Sequence, residues 1–233
     1  MSIEFNAFDS NAELVKILAT EISETLHSKI AKRGRASLAV SGGSTPLLLF
    51  KELSAIEIAW ERVCITLVDE RWVEPDHQDS NEKLLRENLL QDKAAKANFF
   101  PLKLAGLSPS SAVRPLSDEL KDKVLPLDAV VLGMGEDGHT ASFFAGAPQL
   151  SEALSLTDTT VCARVVPPSA PHERMTLTLG TLLNSQRLFL HFVGSKKREV
   201  FEKAQVQVDV NVYPVSAVLC RPEYCVEVYY ADQ

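Results

Sequence analysis

No apolar run in this chain approaches the length of a bilayer span, so no membrane partner is expected. The first residues, Met1-Ser2-Ile3-Glu4-Phe5, carry neither the basic segment nor the apolar core of a secretory signal. Basic residues are outnumbered, 24 against 31 acidic, and the net charge of −7 argues against the cationic face that general nucleic-acid binding requires. A small anionic substrate remains compatible, because a few placed arginines, lysines and backbone N–H groups reverse the field locally. Cysteine is scarce as well. Cys64, Cys162, Cys220 and Cys225 show neither C-x-x-C nor a Cys/His zinc spacing, and no metal is expected. Cys64 and Cys162 lie in apolar, strand-like runs and read as buried free thiols. Internal repeats, low-complexity tracts and linkers are lacking too. These absences point to one domain over residues 1–233, soluble and cytoplasmic.

What is present fits a large α/β domain. Hydrophobic residues make up 45% and charged residues 24%, enough to build a sizeable core. Leu14, Ile17, Leu18, Ile22, Leu26 and Ile30 recur at three- and four-residue spacing, which predicts an amphipathic helix from Asn11 to Ala31. Ala36 to Val40 reads as a short strand, followed after a glycine turn by a helix from Leu47 to Ser54 with Pro46 at its start. Further strands are predicted at Val63 to Val68, Leu127 to Leu132, Val161 to Val166, Arg187 to Val193 and Cys225 to Tyr230. Helices are predicted from Asp79-Ser80-Asn81 to Leu90, over Ser108 to Val124 on both sides of Pro115, and from Lys196 to Gln205. Strands alternating with helices imply a mainly parallel sheet covered on both faces.

The densest chemistry lies in Leu132-Gly133-Met134-Gly135-Glu136-Asp137-Gly138-His139-Thr140-Ala141-Ser142-Phe143-Phe144. A buried strand ending in glycines delivers its next polar side chains to the carboxyl edge of the sheet, where α/β proteins bind ligands. His139 is therefore the histidine placed for catalysis. Gly133, Gly135 and Gly138 also spell a dinucleotide fingerprint, but that motif needs a full helix and then a strand ending in an acid. Gly146 and Pro148 stop any helix after about two turns, and Asp158 sits in a polar run before the next strand. A dinucleotide site is not expected.

Four other segments carry candidate groups. Ser41-Gly42-Gly43-Ser44-Thr45-Pro46 is a strand-to-helix turn whose glycines admit an anion and whose hydroxyls and helix N–H groups can donate to it. It lacks the Walker lysine, so it is not a nucleotide loop. Asp69-Glu70-Arg71 closes another strand; its carboxylate could act as base or bind sugar hydroxyls, and its arginine could hold an anion or a developing oxyanion. Arg174 and Lys197 add cations. Lys197 falls in a first helical turn, where it opposes the helix dipole and where a bound anion explains it better than stability does. His27 and His191 lie on a helix and within a strand, and His77 and His172 lie in polar loops without evident partners. No histidine pair has helix or turn spacing for a metal.

In their order along the chain these segments, with Asp69-Glu70-Arg71-Trp72-Val73, Asp79-Ser80-Asn81, Arg174-Met175-Thr176-Leu177-Thr178 and Gly194-Ser195-Lys196-Lys197, resemble the 6-phosphogluconolactonase family. The resemblance spans residues of about 40 to 200 and implies an α/β/α sandwich around a Rossmann-like sheet, shared with glucosamine-6-phosphate deaminase and ribose-5-phosphate isomerase. It implies hydrolysis of 6-phospho-D-glucono-1,5-lactone in the oxidative pentose phosphate pathway, with a sugar-phosphate lactone as the only partner and no cofactor. The chain would be a monomer or weak homodimer. His139 would be the base and Asp137 its orienting carboxylate, Arg71 would stabilise the oxyanion, and Asp69 would bind sugar hydroxyls. Arg174 and Lys197 would hold the phosphate with Gly42, Gly43, Ser44 and Thr45. Where the family continues Phe-Pro after a helix carrying the histidine, this chain has Ala145, which should alter the exit of that helix. The deaminase pattern, Asp-Glu-Tyr and His-x-Ala-Phe-Asn-Glu-Pro, differs here: Arg71 replaces the tyrosine, and Ser142-Phe143-Phe144-Ala145 supplies no carboxylate after His139. A sugar-phosphate sensor is the third reading, and no basic helix-turn-helix segment precedes Ala36 to favour it.

Overall fold

Ser10 and Gly34 delimit the first long helix. The Ser10 side chain accepts from the Glu13 N–H, and Gly34, at φ 81°, ends the helix by donating its N–H to the Ile30 carbonyl. Between them Leu14, Leu18, Ile22 and Leu26, four residues apart, form a fully buried stripe. The computed structural model describes residues 2–156, 160–168 and 170–232. Asp158 lies outside the described residues.

Ten strands and eight α-helices are present among the described residues. They run β1 (Ser2–Phe8), α1 (Asn11–Arg33), β2 (Ala36–Val40), α2 (Leu47–Ala55), β3 (Val63–Leu67), β4 (Asp69–Arg71), α3 (Asn81–Asn88), β5 (Asn98–Phe100) and α4 (Pro109–Lys123). The second half continues with β6 (Ala129–Leu132), α5 (Leu150–Ala153), β7 (Cys162–Val165), β8 (Arg174–Leu177), α6 (Leu179–Leu183), β9 (Arg187–Val193), α7 (Ser195–Val206), α8 (Ser216–Leu219) and β10 (Cys225–Ala231).

Seven strands form an all-parallel sheet in the order β1-β10-β9-β6-β2-β3-β5, flanked by helices in a three-layer α/β/α arrangement. Every residue of β2 and β6 is buried, as expected for central strands covered on both faces. From β2 the chain builds outward through β3 to β5, then crosses back so that β6, β9 and β10 extend the other way. The order therefore reverses between β2 and β6, and a crevice opens beyond their carboxyl ends. No helix among the described residues is long and apolar enough to cross a membrane.

Several expectations are corrected. β7 is not part of the parallel sheet; with β4 and β8 it forms a separate antiparallel sheet in the order β4-β8-β7. The short connection between β7 and β8 allows only an antiparallel return, because a parallel one needs a crossover of roughly a dozen residues. The helix expected after His139 is absent. The Thr140 hydroxyl donates back to the Gly133 carbonyl, Ala141 adopts φ 50°, and the Phe143 N–H closes on the Thr140 carbonyl, so the chain turns instead of coiling. The next helix is α5, and Ala145 lies in the turns before it. Cys162 is buried as expected, whereas Cys64 is half-buried; all four thiols are free.

Candidate active site

Four neighbouring strands, β9, β6, β2 and β3, deliver their following segments to one end of the sheet, and a cavity of about 260 Å³ lies there. The segment after β2 supplies Ser41 to Thr45, and the turn after β6 supplies Gly133 to Gly135 and His139. Asp69 and Arg71 come from β4 just beyond β3, and Lys197 from the first turn of α7 after β9. Asn81, Gly133, Met134, Gly135 and Ala141, none of them expected as site residues, line it too. Asn81 had a visible signal, since it follows Asp79 and Ser80 at the start of α3, but that run reads equally as a helix cap.

Strand alternation explains how β4 serves two purposes. Asp69 and Arg71, two residues apart, share the cavity side, and Glu70 between them points away. The Glu70 carboxylate is 2% exposed and accepts from the Asn81 and Glu82 N–H groups (2.8 and 2.7 Å), the Ser80 hydroxyl (3.1 Å) and the Arg71 N–H (2.7 Å). It thus satisfies two free donors of the α3 terminus and ties the helix to the strand. Burial pushes its pKa up, and the backbone donors pull it back. Asp69 is fixed from the other side by the buried Ser142 hydroxyl, which donates to its Oδ2 at 2.6 Å. Arg71 donates from Nη1 to the Asp79 carbonyl at 2.6 Å.

Gly42 and Gly135 are dictated by close approach. A Cβ on Gly42 would stand 2.0 Å from the Asn81 Oδ1, and the Asn81 amide in turn donates to the Asp69 carbonyl. A Cβ on Gly135 would stand 2.3 Å from His139 Nδ1 and 2.4 Å from Asp137 Oδ1. The space it leaves is filled by the contact that sequence alone left open: His139 Nδ1 and Asp137 Oδ1 are 2.5 Å apart. That partner holds the Asp137 carboxyl below the usual carboxylate range. With Asp137 accepting from Nδ1–H, the lone pair of a neutral imidazole lies on Nε2. The ring also stacks on Phe144, at 4.6 Å between centroids.

Lys197 joins Arg71 as the second cation of the lining. Lys197 donates to the Thr45 hydroxyl at 3.2 Å, and burial depresses its pKa. Asp137 meets His139 but is not itself part of the lining, nor is Arg174. Arg174 is 6% exposed on β8, across the ladder from Arg71, with its guanidinium 6.0 Å from the Phe144 ring. Its Nε and Nη1 are buried and have no hydrogen-bond partner, and burial lowers its pKa although Asp69 counteracts this. His191 is buried in β9 and held neutral, its pKa pushed down to about 4 by burial.

His77 and His172 do have partners. Both rings face the Asp79 carboxylate, and they meet each other edge to face at 5.5 Å. Spacing rules see only local chain, whereas the β4–β8 pairing brings together segments far apart in sequence.

A base held by a carboxylate, an arginine and a lysine around one polar cavity can activate water, receive an oxyanion and hold an acidic group. The sequence pattern of the family described as glucosamine-6-phosphate isomerases/6-phosphogluconolactonase matches residues 9–226, and the chain belongs to that family. Its relatives narrow the class. The chain is 42% identical to a 6-phosphogluconolactonase of Rhizobium meliloti, over 99% of this chain and 100% of the relative. It is 37% identical to one of Pseudomonas aeruginosa, over 94% and 92% respectively. The crystal structure of a 6-phosphogluconolactonase from Shewanella baltica superposes with a TM-score of 0.95 at 42% identity, covering 98% of this chain and 97% of that one.

Proposed function

We propose that this chain hydrolyses 6-phospho-D-glucono-1,5-lactone to 6-phospho-D-gluconate, the ring-opening step of the oxidative pentose phosphate pathway. The observation that carries the reading is the His139–Asp137 pair on a cavity that Arg71 and Lys197 also line. His139 Nε2 takes a proton from water as the water oxygen bonds to the lactone carbonyl carbon. Asp137 steadies the imidazolium that forms. The carbonyl oxygen becomes an oxyanion, which Arg71 meets from an orientation fixed by the Asp79 carbonyl. Collapse of the tetrahedral species breaks the bond to the ring oxygen, and His139 returns its proton to that oxygen. The new carboxylic acid then ionises, which is the measurable acid release.

Lys197 holds the phosphate together with the hydroxyls and N–H groups of Gly42 to Thr45. Asp69 and Asn81 take the sugar hydroxyls. Arg174, outside the cavity lining, contributes positive potential rather than contact. No step asks for a cofactor. The reading brings with it a single domain acting in the cytoplasm as a monomer or weak homodimer, with a free sugar-phosphate lactone as its partner. A deaminase would use Asp69 as a mobile carbon base, and the Ser142 hydroxyl bound to it opposes that role.

Acid release from freshly generated lactone, corrected for spontaneous opening, tests the proposal alongside ammonia release from glucosamine 6-phosphate. Acid release far above background without ammonia is expected, and His139→Ala should lower kcat by about 10²–10⁴-fold. Ammonia without lactone hydrolysis, or near wild-type turnover in that variant, refutes it.

A further inference from the structure

Outside the cavity, the side chains of His77, Asp79 and His172 converge. Each offers one ligand atom, and the three atoms lie within 4.8 Å of one another. His172 Nε2 is 3.1 Å from Asp79 Oδ2, and His77 Nδ1 is 3.8 Å from the same oxygen. Ligand atoms around a tetrahedral ion with bonds of about 2.0–2.2 Å stand roughly 3.3–3.5 Å apart, so movements near 1 Å would complete the site. The side chains are 30–40% exposed, which permits such movement and leaves room for water as a further ligand.

We propose that His77, Asp79 and His172 bind a divalent transition-metal ion of the zinc class. Two imidazoles and one carboxylate suit zinc, cobalt or nickel and disfavour magnesium and calcium, which take all-oxygen shells. The backbone is arranged to bring the ligands together. His172 is held at φ 66°, a left-handed conformation uncommon for a residue other than glycine or asparagine. His77 and Asp79 sit in a turn closed by the His77 N–H on the Glu74 carbonyl and the Ser80 N–H on the His77 carbonyl. The two segments are joined through β4 and β8, and the Trp72 N–H donates to the Glu173 carbonyl at 2.8 Å. Because the Asp79 carbonyl accepts from Arg71, an ion on the Asp79 carboxylate would clamp the loop that orients that guanidinium. The site is independent of the lactonase reading, since its ligands lie outside the cavity lining.

Chelator-treated protein titrated with Zn²⁺ in a calorimeter, and with Co²⁺ followed by visible absorption, tests it. The comparison uses His77→Ala, His172→Asn, which keeps a residue that tolerates left-handed backbone, and His139→Ala, which removes the competing imidazole of the cavity. One saturable ion per chain is expected in wild type and His139→Ala, accompanied by a cobalt d–d band and a raised Tm. Affinity should fall at least tenfold in the other two variants, whose metal-free Tm serves as the folding control. Retention of binding in His172→Asn, loss of it in His139→Ala, or no saturable binding in wild type overturns the proposal.

Discussion

Gly135→Ala offers a way to move the catalytic pair without deleting it. Gly135 does not adopt a positive φ, so its backbone accepts alanine. The added Cβ would stand 2.3 Å from His139 Nδ1 and 2.4 Å from Asp137 Oδ1, against an ordinary contact of at least 3.4 Å. Both side chains must retreat by about 1 Å, and the 2.5 Å contact between them cannot survive unchanged. A misplacement of that size at a reacting group costs about 10²-fold in rate. His139 and Asp137 are partly exposed at 35% and 57%, so the displaced groups can swing toward solvent and the fold should tolerate the change. Stopped-flow acid release and thermal unfolding, run together on wild type, Gly135→Ala and His139→Ala, separate the two effects. The expected result is a kcat reduced by about 10² with Tm within a few degrees of wild type. Turnover within threefold of wild type would show that the His139–Asp137 geometry does not set the rate.

Three further outcomes follow from the same structure. Glu70→Gln leaves several donors facing an amide instead of a carboxylate; a loss of about 3 kcal/mol, and a Tm lower by roughly 6–12 °C in calorimetry, is expected. An unchanged Tm would remove Glu70 as the anchor of α3. Lys197→Ala should raise KM at least tenfold with a much smaller change in kcat, and an unaltered KM would exclude Lys197 from phosphate binding. The third outcome concerns pH. His191 has a folded pKa of about 4 against an unfolded value near 6.5, so its contribution is intact above pH 6.5 and is lost as pH falls toward 4. Denaturant unfolding between pH 7.5 and 4.5 should show this as up to about 3 kcal/mol of acid sensitivity absent from His191→Leu, and parallel profiles would contradict it.

How far the fold could be read from sequence depended on how much pattern each element carried. The leucine and isoleucine stripe of α1 and the apolar runs of β2 and β9 are long enough for periodicity to mark them to within two residues at each end. β4 and β8 escaped because Asp-Glu-Arg and Arg-Met-Thr-Leu are short and rich in polar residues; the pairing of β8 with both β4 and β7 makes them strands. β1 escaped for a related reason, since its partner is β10 at the far end of the chain. Pro115 does not interrupt α4, which runs through it from Pro109 to Lys123. Within the site, the glycine turns and His139 were legible because strand-end position and residue type suffice to find them. The supporting contact of Ser142 with Asp69 spans 73 residues and that of Glu70 with α3 spans 11, both beyond the reach of a helix or strand period. Arg174 shows the limit of residue type alone: a cation in the right motif, it packs 6.0 Å from the Phe144 ring and is not part of the cavity lining.

The pairing of β1 with β10 has a kinetic meaning. Asn6 donates to the Val228 carbonyl across 222 residues, so this edge depends on a distant loop closure. Contacts of such sequence separation carry a large loop-closure cost and slow folding. During synthesis β1 therefore waits as an unsatisfied strand while β2, β3 and β6, which frame the cavity, can pair among themselves. The strands that position His139 and the Ser41–Thr45 loop are able to assemble before the strands that bring Lys197 and close the molecule.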